Sequence, residues 1–423
     1  NGVSIYGILC LYDILNDSGV TAQLDRTLYK NFGAMDRSVT HRPGFAFSVS
    51  MYSDRIRNFE SINGENLKGW FTASGATYLY NDDLNQYLEH YWPTVDKQRI
   101  AGTTVLKNSS EVNAAFGDAF AGGVEMDGRY GVNAMQYRAP QTKDGSPGGL
   151  EAKKAWFVLD DSIVCLGADI DSSIAGAEAE TIVDNRKVDD LAGRLTVNGT
   201  QMSGVQTKSF QNPAWAHLKG NTPDTVQTHS TDIGYYFPQG GVLTAKQESR
   251  TDSWRSIANN GSTSSYTKSY ASLAFSHGAK PADAEYAYAI VPGKTAAETA
   301  AFAENPGFSI LANTNALQAV RKNDGGMVGA VIWQAGQEIA GMISHQPALL
   351  MQKEEDGVLR ISISDPAHTD SVLRFTLNRE MHGVLSADPG VTVITEDGVT
   401  QIMGDTPGAL GKTFHVSLSE REP

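Results

Sequence analysis

The pattern of apolar positions is helical at the start of the chain and soon becomes that of strands. Residues 4–16 repeat apolar side chains at helical spacing, and Gly19 suits the end of that helix. A second short helix is predicted over Gln23–Met35. From Phe45 to Met51 the large apolar residues alternate with smaller ones, which predicts a half-buried strand.

One more helix is predicted over Leu84–Tyr91. Asn81, Asp82 or Asp83 could cap its start, and Pro93 is expected to end it.

After Gly102 the pattern is that of strands almost throughout. Residues 156–159 and 163–166 flank Asp160-Asp161-Ser162, which predicts a hairpin. The alanine-rich segment Thr295–Asn305 is expected to be a helix or a linker. Beyond it the predicted strands are shorter and more regular, which indicates a small antiparallel sandwich.

These patterns predict a mainly β protein with three parts. They are a helical segment over residues 1–35, a large β domain over 36–320 and a small antiparallel β-sandwich over 321–423.

The composition supports folded domains and excludes some partners. The 423 residues are 40% hydrophobic, and no apolar run is long enough to span a bilayer, so no membrane partner is expected. Lys and Arg total 34 against 48 Asp and Glu, a net charge of −14. This balance argues against nucleic acid, and an acidic glycan would need a local basic cleft.

Cys10 and Cys165 both lie in apolar stretches, so two buried free thiols are expected. Without a CxxC motif or a Cys/His cluster, no zinc site and no other metal site is predicted.

The segment 58–71 is the richest in chemistry-bearing side chains. Its carboxylates Glu60 and Glu65 and its amides Asn63 and Asn66 accompany the aromatic Trp70. Polar groups beside aromatic faces suit a sugar, which presents hydroxyls at its edge and C–H groups on its faces. The alternative is a polar loop whose side chains bond its own backbone.

Several basic residues could bind a carboxylate of a glycan through paired hydrogen bonds. Arg55 and Arg57 precede the polar loop, and Arg255 follows Arg250 and Trp254 in a second candidate surface. Each could equally be a surface charge or an ion-pair partner.

Motifs of other enzyme classes are absent. The sequence has no GxSxG and no P-loop, and no GxGxxG in a strand–helix context. His41 is a candidate general base or an ordinary polar side chain. Glu60 and Glu65 would be the pair to consider for a glycosidase.

A series of short segments resembles polysaccharide lyase family 8, which holds hyaluronate, chondroitin AC and xanthan lyases. In chain order the resemblance rests on Met35-Asp36-Arg37, His41-Arg42-Pro43, Ser50-Met51-Tyr52-Ser53, Glu60-Ser61-Ile62-Asn63-Gly64-Glu65-Asn66-Leu67-Lys68-Gly69-Trp70, Tyr91-Trp92-Pro93-Thr94-Val95-Asp96, Gly102-Thr103-Thr104-Val105 and Asp184-Asn185-Arg186.

The resemblance implies a fold and a location. The family has a helical toroid, a central super-β-sandwich and a C-terminal antiparallel sandwich, so residues 1–35 would end the toroid. It also implies a secreted bacterial enzyme that acts on an acidic polysaccharide.

The implied reaction is β-elimination next to a uronate, which needs no metal or other cofactor. Hyaluronan or chondroitin is the first substrate choice and xanthan the second. The family's Asn, His–Tyr and Arg groups lie in the toroid, with His and Tyr nine residues apart, so they are expected upstream of Asn1. The missing helical domain, in the same or a separate chain, would then be a partner.

What this chain would supply is one wall of the cleft. Glu60 and Asn63 best match the family's residues that orient the catalytic groups, and Glu65 and Asn66 are close competitors. Arg55, Arg57, Trp70 and Arg255 are expected to bind substrate. The rival interpretation is a non-catalytic β-sandwich module that only binds glycan.

Overall fold

The computed structural model describes residues 4–21, 26–108, 111–223 and 229–421, and the protein is mainly β. It contains the helices α1 (Ile5–Asn16), α2 (Tyr91–Thr94) and α3 (Ala296–Glu304), and 3-10 turns at Gly33–Met35, Trp254–Ser256 and Asp324–Gly326. Ser4 caps α1, and Thr295 and Glu298 form a capping box at the start of α3.

A four-stranded antiparallel sheet follows α1. Its strands are β1 (Leu28–Phe32), β2 (Arg37–Arg42), β3 (Phe45–Ser50) and β4 (Ala76–Tyr80). In β3 the residues Phe45, Phe47 and Val49 are buried, as their alternation predicted.

The large β region adds two sheets. In chain order their strands are β5 (Thr104–Leu106), β6 (Ala121–Met126), β7 (Tyr130–Arg138), β8 (Leu150–Val158), β9 (Ile163–Ser172), β10 (Glu178–Val188), β11 (Ala192–Val197), β12 (Thr200–Ser203), β13 (Gln206–Gln211), β14 (Trp215–Leu218), β15 (Ile233–Tyr236), β16 (Val242–Asp252), β17 (Tyr266–Ala279) and β18 (Ala284–Pro292). Five of them form the sheet β13-β16-β17-β10-β5, and nine form β12-β11-β14-β15-β18-β9-β8-β7-β6.

The C-terminal sandwich pairs a seven-stranded with a five-stranded sheet. Its strands are β19 (Phe308–Asn313), β20 (Leu317–Lys322), β21 (Val328–Ile332), β22 (Glu338–Ile339), β23 (Met342–Ser344), β24 (Ala348–Glu355), β25 (Val358–Ser364), β26 (Val372–Leu377), β27 (Gly383–Ala387), β28 (Val391–Glu396), β29 (Val399–Asp405) and β30 (Phe414–Ser419). The sheet orders are β19-β20-β21-β24-β25-β30-β27 and β22-β23-β26-β29-β28.

The central strands of the nine-stranded sheet are buried on both faces. One face, with Trp156, packs against the four-stranded and five-stranded sheets. The other face, with Phe157, packs against Val331 and Leu349 of the seven-stranded sheet. Gly329 permits this approach, because a Cβ there would lie 2.6 Å from a methyl of Val132. The two sandwiches therefore share a core.

Two predicted helices are wrong. In the described part of Gln23–Met35 (residues 26–35), β1 pairs with β2 and the chain then makes a 3-10 turn, while residues 23–25 lie outside the described residues. Pairing with β2 buries Tyr29, which outweighs the local helical spacing.

The second wrong helix is Leu84–Tyr91. This segment consists of turns, and only the single turn α2 is helical. Glu89 and His90 both have positive φ (45° and 71°), a conformation that an α-helix does not accommodate. Pro93 lies inside α2 and does not end a helix.

The other predicted elements are confirmed. These are α1, β3, the β8–β9 hairpin and the α3 helix. The domain limits at residues 35 and 320 stay a prediction; residue 320 lies within β20 of the seven-stranded sheet.

Both cysteines are free thiols, as expected. Cys165 is fully buried. Cys10 is only half-buried, since it lies on α1, and no residue of that helix is buried. Over the described ranges, no helix has the length and apolar character needed to cross a bilayer. The same residues contain no cluster of three or more His, Cys, Asp or Glu side chains arranged to hold a metal ion.

Candidate active-site cleft

A cleft of about 680 Å³ lies where β2 begins and the polar loop crosses the edge of the four-stranded sheet. We call it the arginine cleft. Its lining consists of Arg37, Arg55, Ile56, Arg57, Asn58, Phe59, Glu60, Ser61, Ile62, Asn66, Thr72, Ala73, Ala114 and Phe116. The lining thus contains three arginines and a single carboxylate, in a chain whose net charge is −14.

The polar loop, residues 58–70, forms one wall of the cleft. Asn63, Gly64 and Asn66 turn it with positive φ. The Asn66 amide donates to the backbone oxygen of Glu60 at 2.7 Å and so closes the turn. Glu60 itself is exposed, and within the described ranges nothing hydrogen-bonds or ion-pairs with its carboxylate. This acid is therefore available to a partner outside the loop.

Asn58 fixes the base of the cleft. It is fully buried, and its amide nitrogen donates to the backbone oxygens of Trp70 (2.9 Å) and Asn113 (3.3 Å). Its side-chain oxygen accepts from the backbone N–H of Ala115 at 2.8 Å. One side chain thereby joins both ends of the polar loop to the segment that carries Phe116.

Trp70 belongs to the core and not to the cleft surface. It is 6% exposed and packs with Phe59, Phe71, Val105 and other apolar side chains. Its ring is inaccessible to a sugar in this structure, which favours a structural role over the expected substrate contact.

Arg55 is already engaged within the protein. Its guanidinium pairs with Asp36 at 2.9 Å and Asp54 at 3.0 Å, and it donates to the backbone oxygens of Ala119, Ala121 and Pro366. Burial raises the pKa of Asp36, whereas the Ser53 hydroxyl and Arg55 act to lower it. Arg55 therefore links the chain just before the polar loop to the C-terminal sandwich.

Arg57 differs from Arg55, because it is exposed and free of ion pairs among the described residues. Its guanidinium lies 5.0 Å from the centre of the Phe116 ring. Arg37, the first residue of β2, is likewise exposed, and nothing described pairs with it. Both are free to meet an anion.

The second candidate surface contacts the polar loop. We call residues 253–262, which carry Trp254 and Arg255, the Trp254 loop. The backbone N–H of Leu67 donates to Ile257 at 2.8 Å, and that of Asn259 donates to Gly64 at 2.7 Å. Arg255 is thus positioned beside the polar loop, although it does not line the arginine cleft.

The remaining sequence candidates lie outside the cleft. Asn63 and Glu65 are exposed on the polar loop beyond the lining, and His41 is exposed on β2. A glycosidase pair is disfavoured, because only Glu60 of the two glutamates faces the cleft.

No pattern in the sequence pointed to two residues that shape the site. Phe116 lies in an irregular segment, and Asn259 is remote from Gly64 in sequence. Long-range hydrogen bonds, among them those of Asn58 and Gly64, bring these segments together.

One His–Tyr pair in this chain has the nine-residue spacing expected of the family's catalytic pair. His277 and Tyr286 lie on β17 and β18 with ring centres 6.2 Å apart. Tyr286 is 3% exposed, and burial lowers the pKa of His277 to about 4. Neither lines the arginine cleft, so the pair is not placed to act on a polymer.

Comparison with known proteins agrees with this architecture. The super-sandwich domain of polysaccharide lyase family 8 matches residues 27–303, and the family's C-terminal β-sandwich domain matches residues 309–374. The chain belongs to polysaccharide lyase family 8. The resemblance and the sandwich architecture expected from the sequence are thereby confirmed.

Named relatives in this family act on different acidic glycans. Xanthan lyase of Bacillus sp. (strain GL1) is 42% identical over 96% of this chain and 43% of its own length. A hyaluronate lyase of Thermasporomyces composti is 34% identical over 90% of this chain and 48% of its own. The chain thus spans less than half the length of either relative.

Solved structures of the family superpose closely. Paenibacillus xanthan lyase gives a TM-score of 0.91 at 36% identity, covering 99% of this chain and 40% of its own. Chondroitin AC lyase of Streptomyces coelicolor A3 was solved in complex with chondroitin sulphate. It gives a TM-score of 0.82 at 29% identity, covering 98% of this chain and 52% of its own.

Proposed function

We propose that this chain is the β-sheet part of a lyase that cleaves a uronate-containing acidic polysaccharide by β-elimination. The observation that carries the proposal is the arginine cleft of a family 8 fold, where Glu60, Arg37 and Arg57 form no ion pair with any described residue. Because the polymer is too large to enter a cell intact, we place the enzyme outside the bacterium that makes it.

The chemistry explains why such a cleft is useful. A uronate C5 proton becomes removable once the neighbouring carboxylate is neutralised, and arginines supply that positive charge. A base then takes the proton, and an acid protonates the leaving oxygen. Because Glu60 is proposed below to orient the catalytic groups, we propose that a helical domain outside this chain provides the base.

Glu60 is proposed to orient those incoming groups. Its carboxylate is exposed, accepts nothing from the described residues and sits on a loop fixed by Asn58 and Asn66. A fixed acceptor can hold a tyrosine or arginine of the helical domain in one geometry. The proposal requires no cofactor.

Xanthan is the glycan that we propose first. Both the sequence identity and the TM-score are higher for xanthan lyases than for the hyaluronate and chondroitin lyases compared above. Hyaluronan and chondroitin, the first choice from sequence, become the alternatives.

The test is to supply the proposed helical domain. The chain would be expressed alone, and also fused to the part of the Bacillus xanthan lyase that it does not match. Each protein is incubated with xanthan, hyaluronan and chondroitin while the ultraviolet absorbance of unsaturated uronate is followed. We expect product from the fusion with xanthan and none from the chain alone.

Two variants sharpen this test. Glu60→Gln in the fusion should lower kcat by about 100-fold with a smaller change in KM, because an orienting contact is lost. Glu65→Gln, on the same loop but outside the lining, is the matched control and should be nearly unchanged. Product from the chain alone would show that the base lies within it, and saturated sugar ends would indicate a glycosidase.

If the fusion folds but yields no unsaturated product with any of the three glycans, the lyase proposal is wrong. The non-catalytic binding module would then be the better description.

A further inference from the structure

The arginine cleft contains two arginines that form no ion pair with any described residue, and Glu60 is the single carboxylate of its lining. Arg37 and Arg57 line the same cleft, and among the described residues neither forms an ion pair. Arg55, in the same lining, has both terminal nitrogens bonded to carboxylates and carbonyls. Two arginines without a described ion-pair partner in one cleft are available to bind an anion.

An exposed aromatic surface accompanies the charges. Phe116 is 53% exposed, with the Arg57 guanidinium over its ring at 5.0 Å from the ring centre, and Ile62, 56% exposed, lines the same cleft. Large apolar side chains gain nothing from solvent exposure. A pyranose, however, has an apolar C–H face that packs against an aromatic ring or a planar guanidinium.

The two parts of this surface are held in fixed register. Asn58 and Ala115 exchange bonds, with the Asn58 N–H donating to Ala115 at 3.1 Å and the Asn58 side chain accepting in return at 2.8 Å. The backbone N–H of Gly117 donates to Ser53 at 2.7 Å. A Cβ at Gly117 would lie 2.6 Å from the Tyr52 ring, so the segment packs closely. Little ordering remains to be done when a ligand binds.

We propose that Arg37, Arg57 and Phe116 form a subsite of this chain for one carboxylate-bearing sugar residue of an acidic polysaccharide. The guanidiniums bind the carboxylate, and the stacked Arg57–Phe116 pair carries the C–H face of the ring. The inference rests on the proposed function for the identity of the polymer, but the binding needs no group from outside this chain.

The experiment measures binding of this chain to xanthan by affinity electrophoresis or calorimetry at low and high salt. Dextran, an uncharged polymer, is the comparison ligand. We expect binding to xanthan at low salt that weakens as salt rises, and much weaker binding to dextran. Arg37→Ala and Arg57→Ala should each weaken xanthan binding by about tenfold and reduce its salt dependence.

Three further variants separate charge from stacking. Phe116→Ala should weaken xanthan binding while leaving its salt dependence unchanged. Phe116→Tyr should restore the binding affinity. Arg57→Lys should recover the salt dependence but only part of the affinity, because an ammonium lacks the planar stack. All these side chains are exposed, so circular dichroism and thermal unfolding should match the unaltered chain.

Arg321 provides the matched control. It is an exposed arginine on β20, outside the cleft, and nothing described pairs with it. Arg321→Ala should bind xanthan like the unaltered chain. An equal loss in this variant would mean that net charge alone drives binding, and would overturn the subsite.

The outcomes also distinguish this inference from the proposed function. If the cleft variants bind normally, or the chain does not bind xanthan at low salt, the subsite is wrong even when the fusion makes unsaturated product. If the fusion makes no product but the cleft variants lose binding, the subsite stands and the lyase proposal fails.

Discussion

Asn58 shows how single polar side chains define the cleft. Its three side-chain bonds reach backbone groups of Trp70, Asn113 and Ala115, which no local pattern connects. The family resemblance selected Glu60, and the ability of arginine to bind a carboxylate made Arg57 a candidate. The sequence could not separate Arg57 from Arg55, since only the fold determines which arginine is already bonded.

Gly64 is a residue where the fold leaves no alternative. Its φ is +72°, and a Cβ there would overlap the Asn259 side chain. We expect Gly64→Ala to destabilise the protein by more than the roughly 1 kcal/mol of the unfavourable φ, and to weaken xanthan binding by displacing the polar loop. Chemical denaturation and affinity electrophoresis would measure the two effects.

Gly204 is the control for this change. It has the same φ of +72° with no atom within 4 Å of an added Cβ, so Gly204→Ala should show the backbone cost alone and normal binding. Adding Asn259→Ala to Gly64→Ala should recover part of the stability, since the two side chains then no longer overlap. Equal losses at Gly64 and Gly204 would exclude the proposed contact.

Lys154 should make stability depend on pH. It is fully buried against the backbone oxygens of Ser74 and Gly102, and burial lowers its pKa to about 7. Between about pH 7 and its ordinary pKa near 10.4, the unfolded chain binds a proton that the folded chain does not. Unfolding free energy should therefore rise with pH over this window.

The measurement compares the unaltered chain with Lys154→Met at pH 7 and pH 9. The unfolding free energy of the unaltered chain, relative to that of Lys154→Met, should be higher at pH 9 than at pH 7. At pH 9 the folded lysine no longer carries the cost of a buried charge. Other titrations cancel in this comparison. Parallel pH curves for the two proteins would mean that Lys154 keeps an ordinary pKa.

At the scale of elements, strands were easier to predict than short helices. The alternation in β3 reflects a buried and an open face, and the pattern follows directly. For Leu84–Tyr91 the apolar spacing was misleading, because Leu84 and Leu88 are exposed at 58% and 61%. Tyr87 and Tyr91 instead pack against each other, with ring centres 5.1 Å apart. This packing and the turns together determine the local structure.

We expect the stability of the described sandwiches to be independent of helix α1. None of its residues is buried, and its apolar side chains Ile5, Tyr6, Leu9 and Leu15 are each more than half exposed. Deleting residues 1–21 should change the unfolding free energy by less than about 0.5 kcal/mol and reduce self-association. Denaturation and light scattering would measure both quantities.

Helix α3 supplies the comparison for that deletion. Thr295→Ala removes its capping box and should lower stability by about 1 kcal/mol, which shows that the assay resolves one element. A large loss of stability on deleting α1 would mean that it packs against the sandwiches in solution.

At the scale of the whole molecule, the two sandwiches should unfold together. Phe157 of the nine-stranded sheet packs with Val331 and Leu349 of the seven-stranded sheet, and Arg55 bonds to Pro366 across the same junction. Separating them would expose this shared core. Calorimetry should show one transition, and Val331→Asp, which places a charge in the junction, should split it into two.

Two transitions in the unaltered chain would contradict a shared core. The sequence indicated two β domains, but it could not show this junction. The central strands of the nine-stranded sheet, such as β8 and β9, read as largely hydrophobic, without revealing what covers either face.

The doubly buried sheet also raises the question of how its strands find their register. In a half-buried sheet, a slip of one residue turns apolar side chains to water and is rejected. In β8 the same slip would only exchange Trp156 and Phe157 between two apolar cores. Hydrophobicity alone would tolerate that error, so we infer that buried polar side chains prevent it. Lys154 must meet the carbonyls of Ser74 and Gly102, and Asn133 must accept from Tyr29 and Ser38, and each finds these partners in only one alignment.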